Sequence, residues 1–190
     1  GSSLAPRLRV VEGSSLAPFS SYLATIKKNT MPKTIGLLID LDVSQDAYDF
    51  VKDALTHAGH QLLHLCPQPQ AQIYGACLHA LDLKHISELD GLILFPMPQS
   101  TLVSQFIQQY ANRYKPIFSL SGATILFIAA QIAYGRRLTA EPHHRPLLQA
   151  AQAVYLDQAV VNDHNLYISQ QSPAALAEFL DEVLRVLALP

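Results

Sequence analysis

The chain has 190 residues, 49% of them hydrophobic and 15% charged, with a formal net charge of −2. A chain this apolar can bury one domain-sized core and does not have the composition of a disordered segment. Its basic residues form no run longer than Lys27-Lys28 or Arg136-Arg137, so neither a phosphate-binding surface nor a nucleic-acid partner is expected.

Residues 1–30 stand apart from the rest. They are serine-rich and basic, and carry Gly-Ser-Ser-Leu-Ala-Pro twice, at 1–6 and 13–18, before a fresh start at Met31-Pro32-Lys33. The reading is an N-terminal leader or arm, added for expression, in front of a domain over 31–190. A natural arm docking on a partner and a transit peptide are the alternatives.

From Lys33 onward strands and helices alternate. The apolar run 35–39 predicts a buried parallel strand. Residues 46–57 follow at helical period, with Ala47, Phe50, Val51, Ala54 and Leu55 on one face, ending near Gly59. A second strand is predicted over 62–66, a weaker one over 72–77, and a buried one over 91–95. The span 101–114 reads as an amphipathic helix with Leu102, Val103, Phe106, Ile107 and Tyr110 inward. A strand over 116–120 leads straight into an apolar helix over 122–133. A short strand (137–139) and a short helix (146–152) follow. Two strands then flank Asn162-Asp163-His164-Asn165, a hairpin signal. Ser172-Pro173 opens the last helix, running to about Leu187. The alternation implies a three-layer, flavodoxin-like α/β sandwich: a mostly parallel sheet with helices on both faces. Ligands in such sheets sit at the carboxyl ends of the strands, which singles out the loops 40–45 and 96–100 and the turn at Ser121.

No apolar stretch reaches the roughly 18 residues that span a bilayer, so no membrane role is expected. Cys66 and Cys77 lack disulfide or metal-ligand spacing and read as buried small residues of a cytoplasmic protein. No metal or cofactor is expected.

Several ordered motifs resemble the ThiJ/PfpI family of the glutamine-amidotransferase-like superfamily. They are Thr56-His-Ala-Gly-His60, Asp90-Gly-Leu-Ile-Leu-Phe-Pro96, Lys115-Pro-Ile-Phe-Ser-Leu120, Gly135-Arg-Arg-Leu-Thr139 and 159–169, spread over 33–190. The resemblance implies a cysteine on a strained strand-to-helix turn, supported by a glutamate after the first strand, an oxyanion pocket of backbone N–H groups and a nearby histidine. Counting back from Gly135 puts Ser121 at the nucleophile, followed by Gly122. A hydroxyl needs an adjacent base to become nucleophilic. The supporting glutamate falls at or near Ser44, with Asp42 and Asp46 as neighbours. The family's second pocket glycine aligns with Pro98 in Pro96-Met97-Pro98, and proline has no N–H to donate. The histidine position holds Glu141, with His143 and His144 just behind.

These departures lead to the expectation of a divergent member without the family's cysteine chemistry: a non-catalytic binding or regulatory protein, with a small-molecule ligand at the elbow pocket and, as the resemblance implies, a homodimer. The alternative is a small-molecule hydrolase or hydratase with Ser121 as nucleophile and His143, His144 or an acid of 42–46 as base. A third reading, the sensor half of a transcription regulator, would need a DNA-binding segment beyond 33–190. The pocket is expected to be lined by Asp42, Ser44, Asp46, Met97, Pro98, Gly122 and Glu141.

Overall fold

The computed structural model describes residues 16–68 and 72–190. The first copy of the repeated string and the start of the second lie outside the described residues. Helix α1 (Leu16–Thr25) precedes β1 (Thr34–Leu38), α2 (Gln45–His57) and β2 (Gln61–Cys66). Three two-residue strands follow: β3 (Gln72–Ile73), β4 (Ala76–Cys77) and β5 (His79–Ala80). Next come a 3-10 turn over Leu83–Glu88, β6 (Gly91–Leu94), α3 (Thr101–Ala111), β7 (Ile117–Ser119) and α4 (Leu126–Ala129). The chain closes with β8 (Arg137–Leu138), α5 (Arg145–Ala150), β9 (Val154–Tyr155), β10 (Val160–Asp163), β11 (Tyr167–Gln170) and α6 (Leu176–Leu187).

The main sheet has the order β10-β11-β7-β6-β1-β2-β5. Every pairing in it is parallel except β10 with β11, the hairpin whose turn residues His164 and Asn165 take positive φ. Alternate strand residues point to opposite faces. Ile35, Leu37, Ile93 and Phe118 pack under α2 and α6, while Leu38, Leu92, Leu94 and Ile117 pack under α3 and α4. The expected three-layer α/β sandwich is therefore present. Among the described residues no helix is long and apolar enough to cross a membrane.

Four expectations need correction. Leu102, expected to face inward, is exposed, because in the first turn of α3 it falls outside the buried stripe of Val103, Phe106, Ile107 and Tyr110. The predicted helix over 122–133 is helical only at Leu126–Ala129. Ahead of it the chain winds by i→i−3 bonds, Ala123 N–H to the Leu120 carbonyl and Leu126 N–H to that of Ala123, because Gly122 turns at φ 85° and Thr124 ties its hydroxyl back to Ser119 at 2.9 Å. The 72–77 span is a tight hairpin, not one strand, because Tyr74 and Gly75 both take positive φ. Cys77 is exposed; on this two-residue edge hairpin it has no core to face.

Part of the segment 1–30 is built into the fold. Helix α1 lies against α2, and the Phe19 ring sits 4.0 Å from that of Phe50. Asn29 extends the attachment, its backbone N–H donating to the Ala58 carbonyl and its side chain to that of Leu187.

One polar contact makes stability depend on pH. His60 is almost fully buried, and its Nδ1 accepts from the Lys33 backbone N–H at 3.1 Å, a bond that the protonated ring cannot accept. Burial first, and the Lys33 charge second, lower its pKa from 6.5; burial likewise lowers that of His64. A histidine whose folded pKa is depressed gives stability that is complete above its unfolded value and is lost as pH falls below that value toward the folded pKa. Urea midpoints should therefore drop between pH 7.5 and pH 5.5, about one unit either side of the unfolded histidine value. His60→Gln should be less stable at the higher pH and show a shallower drop; an unchanged pH slope would remove His60 from this account.

Candidate active site and its cavity

The carboxyl ends of β6, β7 and β11 converge on Ser121. Strand β7 ends at Ser119, and three residues later the chain reverses at Gly122. A Cβ placed there would sit 3.2 Å from Pro96 Cγ, so the turn requires glycine for both its φ and its space. Ser121 itself is not among the positive-φ residues. The positive φ of the turn falls one residue on, at Gly122, where a glycine adopts it without strain.

The backbone N–H and the hydroxyl of Ser121 are both engaged by the protein. Its backbone N–H donates to Gln170 Oε1 at 2.8 Å. Its hydroxyl donates to Glu141 Oε1 at 3.4 Å. Ser121 and Gln170 are both buried. The other Glu141 oxygen lies 3.7 Å from His143 Nδ1, and the rings of the largely exposed His143 and of His144 stack with centroids 4.0 Å apart. The sequence of contacts is serine, carboxyl, histidine. Among the described residues neither histidine hydrogen-bonds Ser121, so neither is placed to take its proton directly. Burial first, and then His143, lower the His144 pKa, with Glu141 opposing.

Beside Ser121 lies a cavity of about 470 Å³, within the size range of small-molecule sites. It opens between the N-terminal ends of α2 and α6. Of the expected lining residues, Asp42, Ser44 and Asp46 border it; Met97, Pro98, Gly122 and Glu141 do not. Met97 instead packs against the core on the α3 side, and it is Pro96 that faces the cavity. Ser44, at the position of the expected supporting glutamate, caps α2, accepting from the Ala47 N–H at 3.5 Å. The remaining wall is mainly apolar and includes Phe50, Phe95, Leu120 and Leu176. Gln170 is the residue that sequence reasoning missed. It stands one position beyond the last motif of the resemblance, 159–169, and nothing local marks a strand-end glutamine as the partner of a turn N–H 49 positions away.

No cluster of three or more His, Cys, Asp or Glu side chains suited to a metal ion occurs among the described residues. Cys66 is buried at the end of β2, and burial pushes its thiol pKa up, the opposite of what an activated thiolate needs.

Residues 96–186 match the family described as the DJ-1/PfpI family. The chain is 26% identical over 174 residues to "Protein/nucleic acid deglycase 2" of Escherichia coli (strain K12), covering 83% of this chain and 99% of that protein. In structure it resembles a two-domain protein of Anabaena variabilis with DJ-1/ThiJ/PfpI-like and ferritin-like domains, at TM-score 0.71 and 22% identity. That match covers 83% of this chain and half of the larger one. Drosophila melanogaster DJ-1beta gives TM-score 0.68 and 20% identity, over 83% of this chain and 91% of that one.

Proposed function

From the premise that this chain is a divergent relative of the DJ-1/PfpI family, we propose that it is a non-catalytic protein that binds a small molecule beside the old nucleophile turn. The observation that carries this reading is the setting of the Ser121 hydroxyl, whose partner is Glu141 Oε1 at 3.4 Å. Oxyanion donors are each worth about 3 kcal/mol, and the aligned second pocket position is Pro98, which has no N–H to give. The hydroxyl meets a carboxyl group, not an imidazole, and a carboxylate is too weak a base to ionise a serine at neutral pH.

A catalytic reading has one observation in its favour: Ser121, Glu141 and His143 do form a contiguous chain. Transfer of the deglycase activity named for the bacterial relative would nonetheless need an activated nucleophile, and the hydroxyl of the aligned residue has a carboxyl neighbour and no imidazole within hydrogen-bond distance among the described residues. Intact-protein mass after fluorophosphonate treatment separates the two. No adduct is expected, in the wild type or in Ser121→Ala. A stoichiometric adduct that disappears in Ser121→Ala would establish an activated serine and sink the non-catalytic reading.

A further inference from the structure

The cavity beside Ser121 joins apolar walls to charge of one sign. Its described lining includes Asp42 and Asp46 and no lysine, arginine or histidine. Asp42 is exposed and Asp46 half-buried. Two further carboxyl groups stand near its border: Glu141, 3.4 Å from the Ser121 hydroxyl, and Glu178, in the first turn of α6. The opposing charge is smaller. The amino ends of α2 and α6 each carry about half a positive charge. Lys52, further along α2, is paired with Asp53 at 4.0 Å, and His143 lies against Glu141 itself. Four carboxyl groups outweigh two helix ends, so the cavity sits at negative potential. Coulomb attraction falls only as the inverse of distance, so selection by charge requires no direct contact with a carboxylate.

A bare metal ion does not fit this setting. The described residues hold no cluster of three or more suitable ligands, and walls such as Phe50, Phe95, Leu120 and Leu176 offer none. Resting on the binding reading above, we propose that the cavity takes an organic cation: an ammonium group on an apolar body. The hydrocarbon leaves water for the apolar walls and contributes most of the affinity. The ammonium keeps to the side of Asp42, which is exposed, because full desolvation of an unpaired charge is costly. The carboxyl groups then decide which sign of charge is accepted.

The test uses the full chain and three probes with a common skeleton: phenylpropylamine, phenylpropanol and phenylpropionate, titrated at neutral pH by ligand-observed NMR. In about 0.01 M salt the amine should bind about tenfold more tightly than the carboxylate, with the alcohol between them. Near 1 M salt, where screening acts within about 3 Å, that gap should close. Asp42→Asn and Asp46→Asn should each weaken the amine about threefold and leave the alcohol unmoved. Glu88→Gln removes an exposed acid before the opposite, amino end of β6, and should leave the amine unmoved. Thermal melts show whether each variant is folded. Three results would each overturn the ligand class: a carboxylate that binds as well as the amine, an amine unmoved in folded Asp42→Asn and Asp46→Asn, or one weakened equally by Glu88→Gln. Binding of the alcohol would still leave the site standing. If none of the three probes binds the wild type, the binding reading fails, and this inference with it.

Discussion

Phe179→Ala is expected to destabilise the protein by about 3–5 kcal/mol, the cost of emptying a packed aromatic site. Phe179 is fully buried on α6, in the cluster that also contains Ile35, Leu37, Tyr48 and Phe118. It therefore ties the last helix to the centre of the sheet and to α2. Globular domains have only about 5–15 kcal/mol to lose, so the variant should unfold at a markedly lower urea concentration, and its melting temperature should fall by on the order of 10 °C. Phe179→Leu, which keeps much of the volume, should lose roughly 1.5 kcal/mol or less. Equal losses in the two variants would show that the site relaxes around the smaller side chain and is not the rigid packing centre described above.

Gly122→Ala is the second large effect, expected at about 2–5 kcal/mol. Left-handed backbone costs an ordinary L-residue about 1–2 kcal/mol, and crowding in a packed site adds about 1–3 kcal/mol. The crowding partner is named: a Cβ at position 122 meets Pro96 Cγ at 3.2 Å and Pro96 Cβ at 3.4 Å, atoms of a ring that cannot swing aside as a flexible side chain would. Gly59 provides the control, with φ 95° and nothing within 4 Å of the added atom. Gly59→Ala should cost only the backbone part, about 1–2 kcal/mol. Chemical denaturation of the two variants isolates the contact with Pro96, and a Gly122→Ala loss no larger than that of Gly59→Ala would remove it.

The fold was legible because its signals are local. Buried parallel strands are short apolar runs, and those at β1, β6 and β7 stand out against polar flanks. Ser44 and Ser100 cap their helices as serine does, and the 162–165 turn is written in residues that tolerate positive φ. The stretch 122–133 misled because apolar composition does not distinguish a regular helix from a buried coil of tight turns; the sidedness that would separate them is absent when every face is covered. The site was legible only in part. The alignment of Ser121 and Glu141 came from counting along the chain, and the structure does bring those two together. The contact between Ser121 and Gln170 spans β8, β9 and the terminal hairpin, and only the assembled sheet creates it. His143 and His144 looked like candidate bases because they follow the site closely in sequence, yet Glu141 stands between His143 and the hydroxyl.

The Phe19–Phe50 contact makes one aromatic side chain common property of two equilibria. Phe50 borders the cavity and is also where α1 rests. Two events that share a side chain are thermodynamically coupled, and the coupling is reciprocal: whatever factor a cavity ligand applies to the docking of α1, the docked helix applies to the ligand. On the proposed binding reading, a protein trimmed to Lys33 should bind a cavity ligand with a different affinity from the longer chain.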